Sequence, residues 1–300
     1  MRSSAKAMQD KSRTGTREWS EHSVNCCRGC SNGCLYCYGR ATALRFKWIE
    51  RGSDWRMEKP RTIEQINASS VYRRKYPGVV MFPTTHDVTG SNWRQCIWAL
   101  GLLLGAGNRV LLVSKLRTAS VTLLPTMRDV YNPPGAALEV RVTITCLDED
   151  LRRLWEPHAP SIAERIEALK YCHEEGLATS VSIEPCLEPW RAAEIVRAVE
   201  PYVSGEIWIG KANKLRERTA WCLKSEADGG LRLGEAPGVR DQIERIEAYQ
   251  TDEAVMRIVG QLQGDLKVSG KIRWKDSYRE VIERQGRGER LEVRGEANVQ

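Results

Sequence analysis

Three cysteines at short, unequal spacing are the residues of this chain best suited to chemistry. Cys30, Cys34 and Cys37 lie in the run CysSerAsnGlyCysLeuTyrCys, with three residues between the first pair and two between the second. An ordinary iron–sulfur cluster is closed by four thiolates. Three thiolates therefore predict a 4Fe–4S cluster in which one iron remains free to bind a ligand that is not protein.

Two further cysteines just upstream leave other metal sites open. Cys27 and Cys30, like Cys34 and Cys37, have the spacing of a zinc knuckle, although only three residues separate the two pairs. Cys26 or Cys27 could also supply a fourth ligand, and a complete cluster would suit electron transfer. Ten cysteines in 300 residues, most of the later ones single and scattered, disfavour a disulfide framework. The chain is therefore expected to be reduced and cytoplasmic.

Composition predicts a globular chain with a basic N-terminal region. With 41% hydrophobic residues it can bury a large core. The most apolar stretch, residues 96–107, is too short to cross a bilayer, so no membrane segment is expected. The net charge is +7, and residues 1–60 hold twelve Lys and Arg against six Asp and Glu. Such a region could attract nucleic acid, although solvated surface charge is the simpler reading.

Short strand-like runs alternate with helical runs along most of the chain. The predicted strands are 19–25, 79–82, 109–114, 139–145, 178–183 and 206–209. Strands that alternate with helices form parallel βαβ units, and about eight such units close a full barrel. Six units predict an α/β fold with a partial, open (β/α)6 barrel. Because chemistry in such barrels gathers at the carboxyl ends of the strands, the cysteine loop is expected at that mouth.

The domain prediction has three parts. Residues 1–16 are polar and unpatterned, which predicts a flexible tail, and residues 17–215 form the barrel with the cysteine loop at 26–38. Residues 216–300 are expected to form a mostly helical C-terminal extension that could act as a lid. Glycine-containing runs predict loops at 225–230 and 234–238.

The cysteine loop has a recognisable form, with Asn25 upstream, Tyr36 before the last cysteine and Tyr38-Gly39 after it. It resembles the cluster loop of radical S-adenosylmethionine (SAM) enzymes, in particular the branch of spore photoproduct lyase and its relatives. Other family-like segments are 112–115, 143–148, 156–161 and 209–213, with a weaker likeness at 273–277. The resemblance covers roughly residues 22–215.

The resemblance implies a fold, two cofactors and a reaction type. It implies the partial barrel, a 4Fe–4S cluster on the three cysteines, and SAM bound to the free iron. A flavodoxin- or ferredoxin-type donor would reduce the cluster, and SAM would be cleaved to a 5′-deoxyadenosyl radical that abstracts hydrogen from a substrate. The substrate could be nucleic acid or a nucleotide. The alternatives are a radical SAM enzyme acting on a peptide or small metabolite, and a non-catalytic iron–sulfur or zinc protein that binds nucleic acid.

The resemblance also implies positions that hold SAM. These are Tyr36, Thr84, Thr85, Asp87, Lys115, Thr143, Thr145 and Glu184. Lys115 is expected to meet the SAM carboxylate, since a buried ammonium needs a partner; a lysine that reaches solvent is the alternative. Thr143 and Thr145 share one face of their strand, because strand period is two, so both could point inward.

Three further residues are candidates for acting on the substrate. His86 is the histidine best placed at the predicted mouth. Cys146 and Cys186 follow the fourth and fifth strands, where each could donate a hydrogen atom, although a buried small hydrophobe is the simpler reading of both. Spore photoproduct lyase has a hydrogen-donating cysteine at the end of its second strand, where this chain has Thr84. A threonine O–H bond is too strong for that task, so repair of spore photoproduct is not expected.

Overall fold

The computed structural model describes residues 15–224, 236–265 and 270–296. Its main sheet has seven strands, all parallel, in the order β1-β4-β5-β6-β7-β8-β9. These strands are β1 His22–Ser23, β4 Val79–Phe82, β5 Arg109–Ser114, β6 Ala137–Thr143, β7 Ala178–Ile183, β8 Ile207–Ile209 and β9 Ile272–Trp274. A separate antiparallel pair joins β2 Cys27–Arg28 to β3 Lys59–Pro60.

Helices occupy the connections between the strands. They are α1 Tyr38–Arg45, α2 Gly52–Arg56, α3 Ile63–Ala68, α4 Trp93–Gly105, α5 Thr118–Val121, α6 Leu124–Val130, α7 Glu149–Trp155, α8 Ile162–Glu174, α9 Ala192–Val199, α10 Leu215–Lys224, α11 Pro237–Ala248, α12 Asp252–Gln263 and α13 Asp276–Glu296. Short 3-10 helices lie at Gly15–Glu18, Ser70–Tyr72, Pro189–Arg191 and Glu200–Tyr202. No helix in the described ranges is long and apolar enough to cross a membrane.

The two faces of the sheet differ in chemistry. Since successive side chains of a strand point to opposite faces, Val140 and Val142 join the large core beneath the helices, whereas Arg141 and Thr143 point to the inner face. The Arg141 guanidinium carbon lies 5.0 Å from the ring centroid of Trp19 on this inner face. The inner face can therefore carry a polar site without disturbing the main core.

The predicted fold class is confirmed, with one additional strand. The sheet is open and follows the (β/α)6 order, and helices dominate the C-terminal extension. The extension also contributes β9, which was not predicted because a strand of only three residues shows too little alternation in the sequence. The predicted boundary at residue 215 falls at the start of α10.

Some predictions fall outside the described residues. Residues 1–14 of the predicted tail and the predicted loop at 225–230 are among them, as is the first part of the loop at 234–238. Residues 15 and 16 are described, and they belong to the first 3-10 helix.

A short segment lies along the open side of the sheet, whose two edges are β1 and β9. Residues 15–19, here called the N-terminal strap, precede β1 and contact the residue that follows β9. Lys275 Nζ donates to the carbonyl oxygen of Gly15 at 2.5 Å and pairs with Glu18 Oε1 at 2.9 Å. The strap thus joins the two edges of the sheet.

Candidate active site

A cavity of about 470 Å³ opens at the carboxyl edge of the sheet, where parallel α/β folds place their ligands. Of the residues that the sequence singles out, it brings together Cys30, Cys34, Cys37, Tyr36, Thr84, Thr85, His86, Asp87, Lys115, Thr143 and Glu184. The strap adds Gly15, Thr16, Arg17 and Trp19, and α10 adds Arg218.

The cysteine loop presents its three thiols to this cavity. Gly29 has φ +92°, and a Cβ there would lie 2.6 Å from the carbonyl oxygen of Trp55, so only glycine fits. The next amide, that of Cys30, donates to the same oxygen at 2.8 Å. Cys37 is the N-cap of α1, where its sulfur accepts from the Arg40 amide at 3.4 Å. Backbone geometry therefore fixes the loop at both ends.

The two upstream cysteines lie elsewhere. Cys26 Sγ is 3.5 Å from Cys96 Sγ on α4, and Cys27 Sγ is 3.5 Å from the carbonyl oxygen of Arg28. Neither thiol lines the cavity. A cluster in the cavity would therefore find three cysteine ligands, in line with the spacing argument.

Burial favours the protonated form of two cavity thiols, those of Cys30 and Cys34. Burial raises the pKa of Cys34 to about 12, although nearby Lys115 opposes this shift. Burial likewise raises the pKa of Cys30 well above its usual value, and Asp87 adds to the shift. A metal charge would reverse this balance and release the protons. Within the described residues no three His, Cys, Asp or Glu side chains converge on the position of a single metal ion.

Asp87 and Lys115 form a buried ion pair beside the cysteines. Asp87 Oδ2 is 3.4 Å from Lys115 Nζ and accepts from Asn32 Nδ2 of the cysteine loop at 2.9 Å. Its other oxygen accepts from Ser114 Oγ and from the Lys115 amide, each at 2.9 Å. Burial raises the pKa of Asp87, but Lys115 and these hydrogen bonds outweigh it and bring the pKa to about 2. Lys115 is thus buried and paired, which rules out the solvent-reaching alternative.

His86 anchors the cysteine loop, which corrects the catalytic prediction. Its Nε2 accepts from the backbone amides of Cys26 and Cys27 at 3.3 and 3.2 Å. The proton must then lie on Nδ1, which donates to the carbonyl oxygen of Asp87 at 3.0 Å. Both ring nitrogens are occupied, so His86 holds the loop and has no nitrogen left to exchange a proton with a substrate.

Two side chains that the sequence analysis did not assign hold the loops around the cavity. Asn25 Oδ1 accepts from the amides of Thr84 and Thr85 at 2.8 and 2.9 Å, and Asn25 Nδ2 donates to Thr84 Oγ1 at 2.7 Å. Glu58 accepts from the Ser31 amide at 2.7 Å and from Thr89 Oγ1. Asn25 belongs to the family-like loop, so its motif could have indicated this role. Glu58 lies in no comparable pattern.

Tyr36 and Thr145 meet a buried carboxylate behind the cavity wall. The Tyr36 hydroxyl donates to Glu156, Thr145 Oγ1 donates to the same carboxylate at 3.0 Å, and Arg165 pairs with it. Tyr36 still lines the cavity, with its ring centroid 5.8 Å from Lys115 Nζ. Thr145 does not, because β6 ends at Thr143 and Thr145 turns into the core. The inward placement expected of both threonines holds for Thr143 alone.

Glu184 lies across the cavity from Asp87 and is paired differently. Its Oε2 is 3.4 Å from Nζ of the fully buried Lys275. Burial raises the pKa of Glu184, and Lys275 opposes the shift. A methyl group at Gly210 would lie 3.0 Å from the Cγ atoms of both side chains, so the glycine at the end of β8 leaves room for this pair. Lys275 lies in the weakly family-like segment 273–277, the pattern that could have singled it out.

The two other candidate catalytic thiols do not reach the cavity. Cys146 is fully buried, with its sulfur 3.4 Å from the carbonyl oxygen of Asp148. Cys186 is 2% exposed, and burial raises its pKa to about 12. Both side chains turn into the core because they follow the last residues of β6 and β7, where the chain leaves the strand. Neither thiol lines the cavity, and each takes the buried position that is the alternative to a catalytic role.

Comparison with known proteins gives few relatives. No protein-family model matches the chain. The uncharacterized protein ORF301 of Acidianus two-tailed virus is 27% identical to it over 183 residues, which cover 58% of this chain and 58% of that protein. The chain thus spans less than two thirds of the length of this curated relative.

Solved structures of spore photoproduct lyase align with the chain. One is a mutant with bound AdoMet and dinucleoside spore photoproduct, with a TM-score of 0.48 and 15% identity. Another is the lyase complexed with dinucleoside spore photoproduct, with a TM-score of 0.49 and 14% identity. Each alignment covers 76% of this chain and 73% of the lyase.

Proposed function

We propose that this protein is a radical SAM enzyme in which Cys30, Cys34 and Cys37 hold a 4Fe–4S cluster. The observation that carries the proposal is the arrival of all three thiols, and of neither upstream cysteine, on the wall of one cavity at the carboxyl edge of the sheet. When bound, the reduced cluster supplies the electron for cleavage of SAM, the chemistry that yields a 5′-deoxyadenosyl radical. An external flavodoxin- or ferredoxin-type protein is the proposed electron source.

The side chains around the cavity would bind and orient SAM. An ammonium has three donors, and Asp87 engages Lys115 at 3.4 Å, so Lys115 keeps donors for the SAM carboxylate. Thr143 and Glu184 line the cavity near the ends of β6 and β7, where a hydroxyl and a carboxylate could hold the ribose. The strap covers the open side of the sheet and would help to exclude water.

The proposed substrate is a nucleic acid or nucleotide, and hydrogen abstraction is the proposed first step. Repair of spore photoproduct is not expected. Thr84 carries a hydroxyl that is held by Asn25 at 2.7 Å, and Cys146 and Cys186 are buried away from the cavity. Among the described residues, the only cysteines lining the cavity are the three proposed cluster ligands. This arrangement favours a reaction that needs no hydrogen atom from a further protein thiol.

Anaerobic reconstitution tests the proposal. Wild-type protein is expected to take up about four irons per chain with matching sulfide, and to form 5′-deoxyadenosine from SAM with dithionite. Cys30→Ala, Cys34→Ala and Cys37→Ala should each lose both properties, because each removes one of the three thiolates.

Cys26→Ala and Cys27→Ala are the matched controls, since both thiols lie close to the loop but outside the cavity. Both should keep their iron. Iron loss in either control as severe as in Cys34→Ala would overturn the three-ligand assignment. Zinc in place of iron and sulfide would favour the non-catalytic alternative.

A further inference from the structure

Two arginines at the rim of the cavity have no acidic partner. Arg17 of the strap and Arg218 of α10 both line the cavity, and Arg17 is exposed while Arg218 is half-buried. Over the described ranges, neither guanidinium forms an ion pair or a side-chain hydrogen bond. Their charge is therefore available to a ligand.

The other charges of the cavity wall are matched within the protein. Asp87 is paired with Lys115, and Glu184 with Lys275. These two acidic residues are the only ones that line the cavity among the described residues. The rim is thus left with two positive charges, and a concave site with unmatched charge attracts ions of the opposite sign.

Rigid elements hold both arginines. Glu18, next to Arg17 in sequence, cannot neutralise it, because the Glu18 oxygens are taken by Lys275 at 2.9 Å and Arg279 at 2.6 Å. Arg218 lies on α10, which is tied to α1 by the Arg40 guanidinium donating to the carbonyl oxygen of Cys222 at 3.0 Å. Both arginines therefore extend into the cavity rim from anchored stretches of backbone.

We propose that Arg17 and Arg218 bind a phosphate group of the substrate at the rim of the cavity. Guanidinium groups bind phosphate oxygens in bidentate geometry, and a phosphate monoester carries a charge of about −1.5 to −2 near neutral pH, which matches two arginines better than a carboxylate does. The proposal rests on the proposed function in taking this cavity as the substrate chamber. The phosphate can belong to a monoester or to a diester within a strand.

Calorimetric titration of the full-length, reconstituted protein with SAM present tests the site. Phenyl phosphate, diphenyl phosphate, benzoate and phenol are the probes. Phenyl phosphate is expected to bind at least about tenfold more tightly than phenol or benzoate, the size of one charge-assisted contact. Diphenyl phosphate binding more tightly than phenyl phosphate would assign the site to a diester, and the reverse order to a monoester.

Arg17→Gln and Arg218→Gln should each weaken phenyl phosphate binding about tenfold, because each removes one guanidinium. Arg109→Gln is the matched control: Arg109 is an exposed arginine at the opposite end of the sheet, at the start of β5, and its loss should not change binding. Circular dichroism and iron content confirm that each variant is folded.

Two results would overturn the phosphate site. One is that neither phenyl phosphate nor diphenyl phosphate binds the wild type more tightly than phenol or benzoate does. The other is phenyl phosphate binding that survives in the double variant Arg17→Gln/Arg218→Gln. Failure of the proposed function looks different, because wild-type protein would then form no 5′-deoxyadenosine whatever the probes do.

Discussion

Two buried lysines lie at the carboxyl edge of the sheet, Lys115 on the cavity wall and Lys275 behind Glu184, and their surroundings differ. Lys115 directly follows β5 and is 8% exposed, and Lys275 directly follows β9 and is fully buried. Each meets carboxylates at the carboxyl edge of the sheet. Lys115 faces Asp87, which also holds the cysteine loop through Asn32. Lys275 faces Glu18 and Glu184.

The two lysines join parts of the chain that are very different distances apart in sequence. Asp87 and Lys115 are 28 residues apart, at the ends of adjacent strands. Lys275 and the Gly15 carbonyl that it binds are 260 residues apart. The cysteine side is thus built from neighbouring βα units, whereas the strap side exists only once both ends of the chain have met. The cysteine side can therefore form when two neighbouring βα units pack together. The strap side forms only when the whole fold is complete.

Lys275→Met has the largest expected effect on the strap side. It removes a fully buried charge and leaves Glu18, itself 2% exposed, with Arg279 as its remaining cationic partner. Breaking a buried pair from one side costs about 3–5 kcal/mol of unfolding free energy. Urea denaturation with tryptophan fluorescence measures it, since Trp19 lies 4.1 Å from the lysine nitrogen.

Arg279→Gln serves as the control for this prediction. Arg279 binds the same carboxylate but is 31% exposed, so its loss should cost clearly less than that of Lys275. Equal losses of unfolding free energy in the two variants would contradict the prediction that the buried partner of Glu18 contributes more than the exposed one.

Lys115→Gln is expected to act on cofactor binding. The cluster should form, because no cysteine is changed, while the affinity for SAM falls about tenfold through loss of a charge-assisted contact to the carboxylate. Equilibrium dialysis with labelled SAM on the reconstituted variant measures this. Lys271→Gln is the matched control, since Lys271 precedes β9 at the other end of the sheet, where it pairs with Glu200 at 2.7 Å. Unchanged SAM affinity in Lys115→Gln would limit Lys115 to holding Asp87.

The residues of the cysteine side can be singled out from the sequence because the information that marks them is local. The spacing of Cys30, Cys34 and Cys37 and the strand-like runs that end near Asp87 and Lys115 are read within a few residues. Parallel topology then brings the strand ends together, so the cavity wall follows from strand order.

The same reasoning failed where strands end and where distant segments meet. Thr145 would face the same side as Thr143 only if β6 continued to residue 145, but β6 ends at Thr143. His86 was a catalytic candidate because of its place at the predicted mouth. Its hydrogen-bond donors are backbone amides, which no sequence pattern reveals. The strap depends on the contact of Glu18 with Lys275, across almost the whole chain.

The smallest expected effect is a pH dependence that differs between the two sides. The pKa of Asp87, about 2, lies below its usual value of 3.8, so its ionised form stabilises the fold above about pH 4, and this stabilisation is lost as the pH falls towards 2. Burial raises the pKa of Glu184, so its protonated form is favoured in the fold, and the wild type loses stability as the pH rises through that pKa.

Two variants separate these opposite signs. Asp87→Asn should destabilise by an amount that is constant between about pH 5 and 8, since Asp87 is ionised throughout that range. Glu184→Gln should become more stable relative to wild type as the pH rises, because glutamine avoids the cost of ionising a buried carboxyl. Urea midpoints at several pH values measure both. A Glu184→Gln difference that stays flat or falls with rising pH would show that Lys275 outweighs burial at Glu184, and the two lysines would then hold their carboxylates in the same way.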